Sequence, residues 1–394
     1  MSELSKSSIY LNAMSVANAL GRDWQEVSQS LFAGDRGGLE SQAALNDGRS
    51  VPVGRLRFEL DCLEPPFAEW NSRNNRLVRQ CLMPLVDAIE AAKEKYGIGR
   101  VGVVVGTSTS GTSQTESHLL EWIAAEGPPP HFDFRRQELG DAAEFVAAVT
   151  GVAGPCFSVS TACTSGARAL ASAARLLRAG LCDAVIAGGV DTLCGLTLNG
   201  FSVLDSMASE RCNPFSTNRG GINIGEGGAL FLVTREPAEI RLAGWGESAD
   251  AHHLSAPDPE GKGARLAIER ALETAGINNR DLAYLNLHGT ATRLNDAMEA
   301  KVTYELFEDA LPCSSTKGLT GHMLGAAGSN EAAFAIMALQ QGILPPHIWD
   351  GERDPALAPI RLADEVGERI QGNYTMSCSY AFGGNNAALI LARE

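Results

Sequence analysis

Cys163 lies in Ser-Thr-Ala-Cys-Thr-Ser-Gly (160–166), between an apolar run and a stretch of small residues. A thiol does nucleophilic chemistry only as thiolate, and its surroundings decide whether it reaches that form. Upstream, Cys-Phe-Ser-Val-Ser (156–160) reads as a short buried strand, and downstream 166–177 carries apolar residues at helical spacing. This order sets Cys163 at or beside a helix N-terminus, where exposed backbone N–H groups and the positive end of the macrodipole favour thiolate. A lone Cys among small apolar residues is also the pattern of an inert buried side chain, so this segment leaves both readings open.

Three more segments bring a polar group to the end of an apolar run, where α/β proteins place reactive side chains. His288 follows Leu-Ala-Tyr-Leu-Asn-Leu (282–287) and opens His-Gly-Thr-Ala-Thr (288–292), with Asp296 and Glu299 downstream. A His in such a place serves structure as readily as chemistry. Lys317 and His322 sit in Lys-Gly-Leu-Thr-Gly-His-Met-Leu-Gly-Ala-Ala-Gly (317–328), whose glycines fit neither a P-loop nor a dinucleotide fingerprint. Phe382 opens Phe-Gly-Gly-Asn-Asn (382–386), where paired glycines permit a tight turn that exposes backbone N–H groups.

The elements that must position these groups are legible from apolar patterning. Strands are predicted at 101–105, 156–160, 184–190 and 225–233, with helices near 76–95, 140–150 and 166–179. After Pro237 the pattern restarts: strand 240–246, helix 263–276, strand 282–287, helix 329–342, strands 374–380 and 386–392. Near-continuous Val/Ile/Ala strands alternating with helices predict a parallel or mixed sheet covered on both faces. The restart predicts two like α/β halves meeting near 237–241.

With 394 residues and 44% hydrophobic content, the chain can bury one large core or two fused ones. It has no run of about 18 uncharged apolar residues, and Met1–Lys6 lacks the basic-then-apolar order of a secretory signal, so a cytoplasmic location is expected. Nine Cys without CxxC pairs point to reduced thiols rather than disulfides or structural zinc. A formal net charge of -15 argues against nucleic acid as a partner. Arg55, Arg57, Arg73, Arg76, Arg79, Arg135 and Arg136 form local basic clusters, either a docking patch or solvated faces.

Together the four segments resemble the β-ketoacyl-acyl-carrier-protein synthases, condensing enzymes of the thiolase superfamily, over nearly the whole chain. The Cys163 elbow, His-Gly-Thr-x-Thr at 288–292, Lys-x-x-x-Gly-His-x-x-Gly-Ala-Ala-Gly at 317–328 and Phe-Gly-Gly-x-Asn at 382–386 carry the resemblance. The order Cys, His, His resembles the elongating type. The resemblance implies a thiolase-like α/β fold: duplicated βαβαβ halves, 1–238 with the Cys and 239–394 with the two His and the Lys, in a five-layered αβαβα sandwich. It implies that Cys163 takes an acyl group from an acyl carrier protein and that the backbone N–H groups of Cys163 and Phe382 form the oxyanion hole. His288 and His322 would hold the malonyl thioester carbonyl during decarboxylation, Lys317 would keep the imidazoles uncharged, and Glu331 would balance Lys317. Thr290, Thr292, Asp296 and Glu299 would support the His288 loop.

The implied reaction is a decarboxylative Claisen condensation with malonyl-acyl-carrier protein, in fatty-acid or polyene-type biosynthesis, without metal or organic cofactor. Acidic carrier proteins would be steered by the Arg clusters. A homodimer, or a heterodimer with a chain-length-factor-like subunit, is implied, with Thr107–Ser117 reaching toward the partner's acyl pocket. The chain departs from the family at Ser216, Gly220 and Ile222, where Asp, Asp and Phe are usual, and at Tyr380 and Ala381, where Phe and Gly are common. Its N-terminal segment 9–21 resembles synthases of aryl-polyene pathways. Two other readings remain. A thiolase would use coenzyme A thioesters and a second Cys, which 382–386 lacks, and a scaffold subunit would lack the nucleophile.

Overall fold

The computed structural model describes residues 7–125, 127–129 and 132–394. The Met1–Lys6 start on which the secretory argument rested lies outside the described residues. Twelve strands are present among them: β1 Tyr10–Asn18, β2 Ser41–Ala44, β3 Ser50–Val53, β4 Val101–Gly106, β5 Cys156–Val159, β6 Ala184–Asp191, β7 Gly227–Thr234, β8 Ile240–Ala249, β9 Leu282–Asn286, β10 Cys313–Ser314, β11 Tyr374–Tyr380 and β12 Asn385–Arg393.

Ten of them form one mixed sheet in the order β10-β9-β11-β12-β8-β1-β7-β6-β4-β5. The order is a duplication. When β1, β4, β5, β6 and β7 are matched with β8 to β12, both halves have the same neighbours, and the directions agree. β4 runs parallel to β5 and β6, whereas β6–β7 and β7–β1 are antiparallel. β9 runs parallel to β10 and β11, whereas β11–β12 and β12–β8 are antiparallel. The halves meet where β1 touches β8 at Tyr10 and Arg241.

Helix Ser165–Arg178, behind Cys163, and helix Ala327–Gln341, behind His322, form the central layer. Residues 327–339 are all buried, as expected for a helix whose one charged side chain there, Glu331, is paired. Both helices share a core with Val185 and Phe231 of one half-sheet and Leu389 and Leu391 of the other. The outer face of the first half-sheet is covered by Arg73–Leu82, Val86–Tyr96 and Asp141–Thr150. The second is covered by Lys262–Ala275 and Arg293–Phe307. The layers therefore run helix, sheet, helix, sheet, helix. Glycine lets the central helices close up, because a Cβ on Gly166 would sit 2.9 Å from the Ser329 backbone nitrogen.

Three expectations change. The single helix at 76–95 is two, Arg73–Leu82 and Val86–Tyr96, separated by a 3-10 turn at Met83–Leu85, because Pro84 cannot donate to the helical ladder. Strand 156–160 exists as β5 but is not buried. It is the outer edge of the sheet, and Cys156 and Phe157 face solvent. β1, which patterning did not reveal, is the strand that joins the halves; a bulge between Leu11 and Ala13 breaks its alternation. All nine cysteines are unpaired. No helix among the described residues is long and apolar enough to cross a membrane.

Candidate active site

The turn between β5 and helix Ser165–Arg178 presents Cys163, with 6% of its surface exposed. Ala162 is held at φ 51°, a left-handed conformation that costs an L-residue about 1–2 kcal/mol. Hydroxyls fix it there: Ser165 Oγ donates to Ala162 O at 2.6 Å and accepts from Thr161 N–H at 2.9 Å, while Thr164 Oγ1 donates to Thr161 O at 2.8 Å. The Ser/Thr/Ala composition around the thiol is thus what a strained elbow requires.

His322 follows the short helix Lys317–Thr320. Its backbone N–H donates to Asn223 O at 2.7 Å, and its carbonyl accepts from Gly225 N–H at 2.9 Å, which pins it to the segment before β7. The ring reaches across the central layer so that Nε2 lies 2.9 Å from Cys163 Sγ. His288 sits just past β9. Its N–H and that of Gly289 donate to the two carboxylate oxygens of Glu299, at 2.6 and 2.7 Å. Asp296 accepts from Phe215 N–H at 2.8 Å, and Asn295 bridges Asp296 and Glu299. Thr290 and Thr292 bond to each other through their hydroxyls at 2.9 Å. The His288 and His322 rings meet edge to face, 5.3 Å between centroids.

Lys317 is buried between them. Its ammonium donates to His288 O at 2.5 Å, pairs with Glu331 and lies 3.5 Å from His288 Nδ1. An ammonium facing Nδ1 makes that nitrogen the acceptor and leaves the proton on Nε2, so His288 offers an N–H donor. Burial, reinforced by Lys317, holds both imidazoles well below the usual histidine range, so they are neutral. Burial pushes Cys163 up to about 12, against the pull of Lys317 and of hydrogen bonds from the N–H groups of Cys163 and Phe382. The resting pair is therefore a neutral thiol beside a neutral imidazole. Burial also raises Glu331 to about 7, opposed by Lys317, and Glu299 to about 8, opposed by the Gly289 N–H.

Phe382 N–H reaches the sulfur because Gly383 and Gly384, at φ 84° and 75°, fold the β11–β12 turn tightly. Ala381 N–H to Asn385 O at 2.8 Å and Gly383 N–H to Leu254 O at 2.7 Å hold it. The site opens into a cavity of about 430 Å³ lined by Cys163, His288, His322, Thr290, Phe201 and Phe382. The donor atoms of Cys163, His288 and His322 lie within 4.8 Å of one another, a spacing that would also suit a metal, but the buried Lys317 ammonium opposes a dication there. The arrangement suits acyl transfer: a thiol, a base on it, two N–H groups at the sulfur and a second imidazole donor.

Sequence comparison agrees. "Beta-ketoacyl synthase, N-terminal domain" matches residues 7–238 and "Beta-ketoacyl synthase, C-terminal domain" residues 239–349. The chain belongs to the beta-ketoacyl synthase family. It is 36% identical over 263 residues to the mitochondrial 3-oxoacyl-[acyl-carrier-protein] synthase of Arabidopsis thaliana, covering 61% of this chain and 57% of that protein. It is 34% identical over 257 residues to 3-oxoacyl-[acyl-carrier-protein] synthase 2 of Staphylococcus aureus, covering 61% and 64%. The match thus spans less than two thirds of these curated relatives. Among solved structures, a chain of the ketosynthase of Xenorhabdus doucetiae in complex with its chain length factor is 41% identical with TM-score 0.95, each chain covered in full. A beta-ketoacyl synthase of Burkholderia phymatum is 26% identical with TM-score 0.88, covering 98% of this chain and all of that one.

Of the arginines expected to form a basic patch, Arg73 alone is drawn into the fold by a buried carboxylate, while Arg55, Arg57 and Arg135 are exposed. Arg73 turns inward to Glu226, whose buried carboxylate also takes Leu56 N–H and Leu193 N–H; an ion buried there needs a counter-charge. Arg57 donates to Ala19 O and Leu20 O and pairs with Asp35. Arg76 donates to Asn71, Arg135 pairs with Asp133, and Arg136 donates to Glu69 O. Arg55 is exposed and Arg79 half-buried. Thr107–Ser117 divides: Thr107, Ser108 and Thr109 turn inward and donate to the Asp191 carboxylate at 2.6–3.0 Å, while Thr112 opens helix Thr112–Ala125.

At the departures, Ser216 donates to Asp350, Arg219 pairs with Asp354, and Gly220, Gly221 and Ile222 line the cavity. Tyr380 lies edge-on to His288, 5.9 Å between centroids, and Ala381 lines the cavity. Sequence reasoning missed two supporting carboxylates. Fully buried Asp191 also accepts Gly325 N–H at 2.6 Å, tying the Lys317–Gly328 segment to β6; its place at the end of an apolar strand was the available signal. Glu116 accepts Gly195 N–H at 2.8 Å and Leu196 N–H at 2.5 Å, capping helix Gly195–Val203, which carries Phe201; nothing local marks it.

Proposed function

We propose that this protein is an elongating ketosynthase that holds an acyl group on Cys163 and condenses it with malonyl-acyl-carrier protein. The observation that carries the reading is His322 Nε2 at 2.9 Å from Cys163 Sγ with a second neutral imidazole alongside. His322 takes the thiol proton as sulfur attacks the carrier thioester and returns it to the departing sulfur of the carrier arm, which leaves as the thiol. The N–H groups of Cys163 and Phe382 stabilise the tetrahedral oxyanion, about 3–4 kcal/mol per donor. Malonyl thioester then binds, its carbonyl oxygen held by His288 Nε2–H and by His322, which, once acylation has taken the thiol proton away from Nε2, turns to its Nε2–H tautomer. Loss of carbon dioxide leaves an enolate whose carbon attacks the acyl-Cys carbonyl and releases the thiolate for reprotonation. Burial, reinforced by Lys317, keeps both imidazoles neutral, and Glu331, Glu299, Asp296, Thr290 and Thr292 hold the two segments in place.

The Xenorhabdus doucetiae structure pairs a ketosynthase with its chain length factor, and its full-length likeness supports the same pairing here, while the resemblance of segment 9–21 points to a polyene-type pathway. The halves 1–238 and 239–394 serve as one cytoplasmic unit. Intact mass after incubation with acyl-carrier protein tests the reaction: one acyl adduct is expected, absent in Cys163→Ala. A protein that takes up no acyl group of any length, yet binds a ketosynthase, would be a scaffold instead.

A further inference from the structure

His347 takes no part in the chemistry above, yet it ties together the two segments that carry the decarboxylation groups. It lies buried in the stretch 345–349, after helix Ala327–Gln341. Both ring nitrogens are engaged. Nδ1 accepts from Ser315 N–H at 3.0 Å, so the ring proton sits on Nε2, which donates to Pro214 O at 3.1 Å. Burial holds this imidazole down to about 4, which keeps it neutral with one acceptor and one donor. Its main chain is fixed as well: His347 N–H donates to Ala363 O at 2.6 Å, and Pro345 O accepts from Ser314 Oγ at 2.7 Å. The Phe215 and Trp349 rings pack against the imidazole, at 6.0 and 5.4 Å between centroids.

Each ring partner leads straight to the site. Ser315 Oγ donates to Gly289 O at 2.7 Å and accepts from Lys317 N–H at 3.3 Å, so this one residue fixes both the turn after His288 and the start of the lysine helix. Pro214 precedes Phe215, whose backbone is held in the left-handed region at φ 63° while its N–H donates to Asp296. The Phe215 ring in turn closes on the His288 turn, since a Cβ on Gly289 would lie 3.0 Å from Phe215 Cε2. The nucleophile is held by other means: the Cys163 elbow by Ser165 and Thr164, and His322 through Asn223 and Gly225.

We infer that His347 is a positioning residue for the decarboxylation half of the reaction: by accepting from Ser315 and donating to Pro214 it fixes the His288 loop against Lys317, without touching substrate. The assignment rests on the ketosynthase reading above. A misplaced donor costs rate rather than affinity when its bond is strongest to the developing enolate, so the loss belongs in kcat.

Carbon dioxide release from malonyl-carrier protein and acyl uptake by Cys163 are measured for the protein in its native assembly. His347→Ala should lower kcat for release about tenfold, with KM and the rate of acyl uptake each within about twofold of the parent. Two further variants separate positioning from lost packing. His347→Asn keeps an acceptor where Nδ1 stood and should recover kcat to within about threefold of the parent. His347→Gln places its amide toward Pro214, leaves Ser315 N–H without its acceptor, and should stay about tenfold low. Where His347→Ala fails to fold, the difference between Asn and Gln decides alone. Parental kcat in His347→Ala or His347→Gln, matching losses of release and acyl uptake, or Asn and Gln variants that behave alike would overturn the assignment. A parent protein that releases no carbon dioxide would instead remove the ketosynthase reading, and the role of His347 with it.

Discussion

At the scale of single residues, the candidate site brings two neutral groups into contact. With Cys163 raised to about 12 and His322 held well below the histidine range, a Cys–His ion pair is not the resting state. Alkylation by iodoacetamide should therefore climb about tenfold per pH unit from pH 7 to 10, following the thiolate fraction. A plateau already reached near pH 7, read by intact mass, would reveal a preformed ion pair. Lys317 is the second lever. Removing its charge in Lys317→Met makes both imidazoles easier to protonate, so their pKa values rise and the acid limb of decarboxylation moves to higher pH. An acid limb that stays in place would deny Lys317 this role. His288→Ala should spare acyl uptake by Cys163 but abolish carbon dioxide release from malonyl-carrier protein, whereas His322→Ala, which also removes the base on the thiol, should slow acyl uptake as well as abolish release. Parental release rates in both would remove these histidines from the decarboxylation step.

Among the elements, the supports of the site divide by how local their cause is. The Cys163 elbow and the Phe382 turn are legible from their own residues, since small residues, hydroxyls and paired glycines are what those backbones need. Glu116 is not, because its partners are N–H groups nearly eighty positions away that only the fold brings within reach. Glu116→Ala should cost about 1 kcal/mol of urea-measured stability, as for other lost helix caps, and raise KM by loosening Phe201. Glu116→Gln, which keeps an acceptor, should recover most of both. Close approach sets a further limit. A Cβ on Gly106 would lie 2.5 Å from Ser165 C and 2.6 Å from Gly166 N, so Gly106→Val should destabilise by about 1–3 kcal/mol and displace the nucleophile helix.

For the whole molecule, a net charge of -15 led to an expectation of arginine steering that the structure redirects. Glu226 has no exposed side-chain surface, and Arg73 is its counter-charge. Arg73→Ala should therefore lower stability by about 3–5 kcal/mol, the cost of leaving a buried charge unpaired, seen as a shift in the urea midpoint. Arg55→Ala, at an exposed site, should leave the midpoint unchanged. Equal midpoints for the two variants would return Arg73 to the list of docking residues. The duplicated sheet belongs to this scale too. Residue-level repetition between the halves is faint, but their strand order and direction coincide, because layered packing constrains where strands lie far more than which apolar residue fills each site.

What the sequence determined by itself was which reactive side chains gather around one cavity: Cys163, His288, Lys317, His322 and Phe382, each in a segment whose composition answers to a local backbone need. It also determined most strands and helices, since apolar periodicity is a local consequence of burial on one or two faces. Tertiary structure alone decided which charges are free. A guanidinium on a helix reads the same whether it faces solvent or Glu226, and only the packed molecule shows Arg73 turned inward and Arg57 left at the surface, paired with Asp35. It also decided that Cys156–Val159 is an exposed edge and that β1 joins the halves. These are properties of neighbours distant in sequence, and a single chain read in order does not contain them.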